Sequence, residues 1–138
     1  MLKYLCTTLT FFVCLCGGFA GLAAVSDAPV IVERTVISNS ETDVGEFYEL
    51  NADCSPAGDI KVNISKAPKN GTAFSEDAVL VTNFPADNQR HACNLRKSQG
   101  VVLKYTSKEG YTGSELFDVE VIYPRGQLVK YHYVVKVK

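Results

Sequence analysis

The chain has 138 residues, with 14 Lys+Arg against 15 Asp+Glu and a formal net charge of −1. Beyond residue 24 there remain 13 basic and 15 acidic side chains, a net charge of −2, because Lys3 is the only charge in the first 24 residues; that balance excludes bulk nucleic-acid binding and a polybasic membrane patch, which need a positive field. At 46% hydrophobic and 21% charged the composition is that of a globular domain, neither disordered nor collagen-like, and it selects no activity.

From the N-terminus, a basic start at Lys3 is followed by an uncharged stretch holding Leu5, Leu9, Phe11, Phe12, Val13, Leu15 and Phe19, and then by Gly21, Leu22, Ala23 and Ala24. A basic start, an apolar middle and a small-residue end predict a secretory signal over residues 1–24, cleaved near Ala24, and one domain over 25–138. The same stretch is long enough to serve as a membrane anchor. The glycines at 17, 18 and 21 and the alanine-rich end favour cleavage, leaving no membrane span in a periplasmic or secreted product. Cys6, Cys14 and Cys16 leave with the signal, and Cys54 and Cys93 remain. An even pair in an oxidising compartment predicts one disulfide, and the chain-entropy model assigns a loop of that length about 4 kcal/mol. The competing arrangement is a metal site built from Cys54, Cys93, His91 and His132, but no second close pair faces His91 and Cys93.

Val30 to Ile37, rich in branched residues, predicts a first strand, and the polar stretch Ser38 to Gly45 a loop. Phe47 to Leu50 reads as a short strand, Asp53 to Gly58 as a turn-rich link, and the alternation of Ile60, Val62 and Ile64 with polar residues as a strand with one buried face. Asn70-Gly71 is a turn dipeptide whose residues tolerate positive φ, with strands predicted at Thr72 to Phe74 and at Ala78 to Thr82. Asn83 to Ser98 lacks periodicity and reads as a long loop pinned at Cys93. Val101 to Thr106 is a strand and Lys108 to Gly113 a glycine turn. Two alternating runs, Phe117 to Tyr123 and Val129 to Val137, joined by Pro124-Arg125-Gly126-Gln127, are a hairpin. Short strands between turn signals, with no sustained helical period, predict an all-β chain folded as an antiparallel β-sandwich of about seven strands.

Gly71-Thr72, Leu103-Lys104-Tyr105-Thr106, Gly110-Tyr111-Thr112-Gly113, and Phe117, Val119 and Val121 followed by Gly126 resemble bacterial immunoglobulin-like and cadherin-like modules over about residues 67 to 137. The resemblance implies that these are the final strands of a seven-stranded immunoglobulin-like sandwich, and it places the chain beside small secreted proteins of alphaproteobacterial type that carry one such domain and a disulfide. It implies no activity. Where many of those repeats carry Asp before the aromatic strand this chain has Ser114-Glu115, and the acidic calcium linkers of cadherin arrays are absent, so no calcium follows.

An enzyme needs a nucleophile with a base, a metal cluster or paired carboxylates in a cleft. The sequence holds two histidines and lacks a nucleophile elbow, a zinc-protease helix motif and a phosphate loop, so the expectation is a non-enzymatic binding or envelope-associated module with no cofactor. The expected contact surface is the loop Arg90 to Lys97, in which a bridged Cys93 anchors Arg90, His91, Arg96 and Lys97 against an envelope or extracellular protein, an anionic glycan or a lipid headgroup. Glu46, Glu49, Glu76, Asp77, Glu109 and Glu120 are read as solvated surface, and Tyr105, Tyr111, Tyr123, Tyr131 and Tyr133 as core and corner. Strand addition at a sheet edge, a self-associating structural role and an enzyme site hidden in the sequence are the alternatives.

Overall fold

The computed structural model describes residues 27–138, so the predicted signal 1–24, with Cys6, Cys14 and Cys16, lies outside the described residues. Within them the chain forms β1 (Val30–Val36), β2 (Thr42–Phe47), β3 (Lys61–Lys66), β4 (Gly71–Val81), β5 (Lys97–Ser107), β6 (Gly113–Ile122) and β7 (Leu128–Val137), with a 3₁₀ turn at His91–Leu95 between β4 and β5. A four-stranded sheet of order β1-β7-β6-β3 and a three-stranded sheet of order β2-β5-β4 carry all seven strands.

The core lies between the two sheets because alternate residues of each strand point to one face. Phe117, Val119 and Val121 of β6 and Tyr133, Val135 and Val137 of β7 meet Leu103 and Tyr105 of β5 and Val44 and Phe47 of β2. The rings of Tyr105, Phe117 and Tyr133 form one stack, with centroids 5.8 and 4.9 Å apart and planes within 9° and 1° of parallel. Gly45 makes room for that stack: a Cβ there would lie 2.3 Å from the Tyr133 hydroxyl. The β6–β7 hairpin forms as predicted, with Ile122 paired to Leu128 and Gly126 at φ +83° in its turn.

Several sequence expectations are corrected. Thr42 to Gly45, read as loop, opens β2: a bulge at Val44 breaks the period-2 pattern, so a partly buried edge strand reads as polar chain. The Nε of Arg34 in β1 donates to the Val44 carbonyl at 2.9 Å and ties the edges of the two sheets together. Phe47 ends β2, and Leu50 makes only an isolated bridge with Pro56. The two short runs around 72–82 are one eleven-residue strand, β4, whose middle, Ser75-Glu76-Asp77, looks like an interruption in sequence. Neither Asn70 nor Gly71 takes positive φ, since the chain there crosses from one sheet to the other instead of reversing in a hairpin. The sandwich is not purely antiparallel either: β1 runs parallel to β7, a direction open to it because the link to β2 also crosses between sheets and no tight turn reverses it.

Candidate functional site

The β2–β3, β4–β5 and β6–β7 connections gather at one end of the sandwich and are linked by three ties. Cys54 and Cys93 form a disulfide with Cα atoms 5.4 Å apart, so both sulfurs are occupied and the thiolate metal site is overturned. Arg125 in the β6–β7 turn places its Nε 3.0 Å from Glu49 Oε1 and donates to Asn51. Arg90 donates from Nε to the Leu50 carbonyl at 2.6 Å. Cys54 sits at φ +69°, a conformation that non-glycine residues seldom adopt. It is held there by the Asn51 amide, which donates to the Ser55 carbonyl, and by the Asp53 carboxylate. That carboxylate accepts the Ser55 hydroxyl at 2.6 Å and its amide at 3.0 Å, and these bonds hold the Asp53 pKa below the usual value.

The loop bearing the predicted contact residues is built on Asn94. Its Oδ1 accepts the Phe84 amide at 2.8 Å and the Thr82 hydroxyl at 3.1 Å, while its Nδ2 donates to the Phe84 carbonyl at 2.9 Å. One side chain therefore satisfies both backbone groups of Phe84, as a neighbouring strand would. His91 Nδ1 lies 2.9 Å from the same carbonyl, an acceptor, so Nδ1 carries a hydrogen in this contact. Phe84 packs edge-on against Tyr48, whose hydroxyl accepts the Asn83 amide at 2.9 Å. Cys93, the middle residue of the 3₁₀ turn, is fully buried.

The structure divides the four predicted residues. His91, Arg96 and Lys97 are exposed, whereas Arg90 is half-buried and bonded to Leu50, so it positions the loop. Sequence reasoning missed Leu95, which is 91% exposed, the most exposed large apolar side chain among the described residues, and which directly precedes Arg96 and Lys97. Its signal was present as an apolar residue inside a charged loop, but exposure is a tertiary property. Beside the loop a cleft of about 490 Å³ opens between β3 and the β4–β5 pair, with Glu49, Asp59, Asp77 and Lys61 among its lining. Glu49 is thus not the solvated residue expected: its Oε2 is buried without a partner while its Oε1 meets Arg125. Glu76 is exposed as expected, and it joins Glu41 and Asp43 around Lys104 at 3.2, 2.9 and 3.5 Å, which raises the Lys104 pKa. The five tyrosines do serve core and corner: Tyr105 and Tyr133 are buried, and Tyr111, Tyr123 and Tyr131 pack against the core. Comparison with protein-family models, curated proteins and solved structures finds no match to this chain.

Proposed function

We propose that this chain is an exported, non-enzymatic binding module of immunoglobulin-like build that grips an extracytoplasmic protein through its disulfide-anchored loop. The signal-like residues 1–24 and the disulfide support export to the periplasm or beyond. Lettered A to G in chain order, the strands form sheets A-G-F-C and B-E-D, which supports an immunoglobulin-like reading. The bridge joins two loops at one end of the sandwich, where an antibody domain would join strands B and F.

One observation carries the functional reading: Leu95 stands in solvent on a backbone fixed by the disulfide and by Asn94, flanked by the cations Arg96 and Lys97. A side chain held out in advance loses little entropy on docking, and an apolar anchor followed by two cations suits a protein partner with an apolar pocket and an acidic rim. An anionic glycan would use the cations and leave Leu95 idle. The test is capture from envelope and culture-medium fractions by wild type, Leu95→Asp and Arg96→Glu/Lys97→Glu, alongside retention on an anionic polysaccharide column. A partner recovered by wild type and lost in both variants is expected. Equal recovery by all three overturns the reading, and column retention that ignores Leu95→Asp moves the site to a glycan.

A further inference from the structure

The outer face of the four-stranded sheet carries a pattern that the fold does not require. Because Phe117, Val119 and Val121 point inward, Leu116, Asp118, Glu120 and Ile122 of β6 point outward, and by the same alternation Leu128, Lys130, His132 and Val134 of β7 share that face. The register pairs Ile122 with Leu128, Glu120 with Lys130, Asp118 with His132 and Leu116 with Val134. The face thus has the carboxylates Asp118 and Glu120 on β6 beside Lys130 and His132 on β7, with an apolar pair above and another below. Leu116, Ile122 and Leu128 are 43–50% exposed, and Ile31 on the adjoining β1, paired with His132, is 57% exposed. Asp118 and His132 lie 2.5 Å apart, and Lys130 meets Asp27 at 2.8 Å.

We infer that this face is the interface of a homodimer, with a second copy of this chain as its occupant. A two-fold axis in the plane of the interface, parallel to the strands and midway between β6 and β7, lays each β6 over the other copy's β7 at the same height. Glu120 then faces Lys130 of the second copy and Asp118 faces its His132. The apolar rows likewise face apolar rows. An axis across the strands would instead set acid on acid, so the charge pattern selects the first arrangement. Two twisted sheets packed face to face cross at about 30°, which keeps the central charged rows aligned. Four strands about 4.8 Å apart and about 6–10 residues long cover on the order of 500–600 Å² per copy. That is the low end for a specific interface and sets a weak, concentration-dependent dimer. The arrangement keeps strand direction, so both disulfide-anchored loops stand at the same end of the dimer.

The test is sedimentation velocity of the purified protein from about 1 μM to about 1 mM, a range that spans affinities of that class. Wild type is expected to pass from monomer to dimer. Glu120→Lys and Lys130→Glu each set like charges across the axis and weaken association about tenfold or more. A mixture of the two single variants restores it, since the introduced lysine of one copy then faces the introduced glutamate of the other. The double variant Glu120→Lys/Lys130→Glu restores it as well and also keeps the pair within each copy. Leu116→Asp abolishes association with melting temperature unchanged. A wild type that stays monomeric throughout, single variants that associate like wild type, or a mixture no better than its components would each overturn the proposal.

Discussion

The carboxylate of Glu115, near the start of β6, accepts the backbone amide of Asn70 in the segment that carries the chain from β3 to β4. The same side chain accepts the amides of Lys69 at 3.1 Å and Leu116 at 3.3 Å, although the residue is only 3% exposed. A crossover between sheets leaves backbone amides without a ladder partner, and an ionised carboxylate is the side chain best suited to take several at once. Tyr105, whose hydroxyl is buried without a partner, feels this carboxylate as a negative charge.

Glu115→Ala is therefore expected to destabilise the fold by on the order of 3 kcal/mol, because it strands part-buried amides that this one carboxylate satisfies. Glu115→Gln keeps one accepting oxygen and turns the other into a donor that opposes an amide, so its loss lies between wild type and Glu115→Ala. Urea unfolding reports the stability, and hydrogen exchange at the Lys69 and Asn70 amides reports the site. Unchanged exchange there in Glu115→Ala would refute the role.

The disulfide acts on the same stability from the other end of the molecule. Reduction, or Cys54→Ala/Cys93→Ala, is expected to cost about 4 kcal/mol on the chain-entropy model for a loop with a sequence separation of 39. The loss should carry a local signature. Amides of the 82–96 loop exchange faster than those of β6 and β7, since Asn94 and Arg90 are left to hold the loop alone. A uniform change across the domain would contradict the anchoring role.

Alkaline pH attacks the core directly. Burial pushes the phenols of Tyr105 and Tyr133 up to about 12, that of Tyr105 with help from Glu115 and that of Tyr133 against the opposing pull of Arg34, and burial together with a 3.1 Å bond to the Tyr131 hydroxyl raises Tyr123 further. A phenol whose folded pKa exceeds its unfolded one favours the folded state in full below the unfolded value, about 10, and loses that contribution as pH rises through the folded value. Stability should therefore fall between pH of about 10 and about 12, with these tyrosinates forming as the sheet signal is lost. Absorbance of tyrosinate and far-ultraviolet dichroism recorded on one titration test this. Complete ionisation of all tyrosines with the dichroism intact would count against a buried stack.

Strand alternation made β3, β6 and β7 legible, because burying one face of a strand imposes a period of two, and a run of branched residues marked β1. Two cysteines beyond residue 24 left one pairing to make, and it is made. Of the residues singled out between Asn83 and Ser98, His91 and Arg96 are exposed in the loop, while Lys97, exposed too, and Ser98 already belong to β5, paired with Val81 and Leu80. Where the period breaks, the reading failed. The bulge at Val44 hid β2, and the polar middle of β4 split one strand into two.

What the sequence alone determined is the class of structure and its covalent tie, since periodicity, turn chemistry and cysteine count depend on near neighbours or on simple counting. The tertiary fold decided which sheet each strand joins, that β1 runs parallel to β7, that Arg90 turns inward to Leu50 while Leu95 turns outward, and that Glu115 is buried. Each of those outcomes depends on which backbone groups distant segments leave unpaired and on which surfaces they cover. Neither is written in the residues that surround any one position.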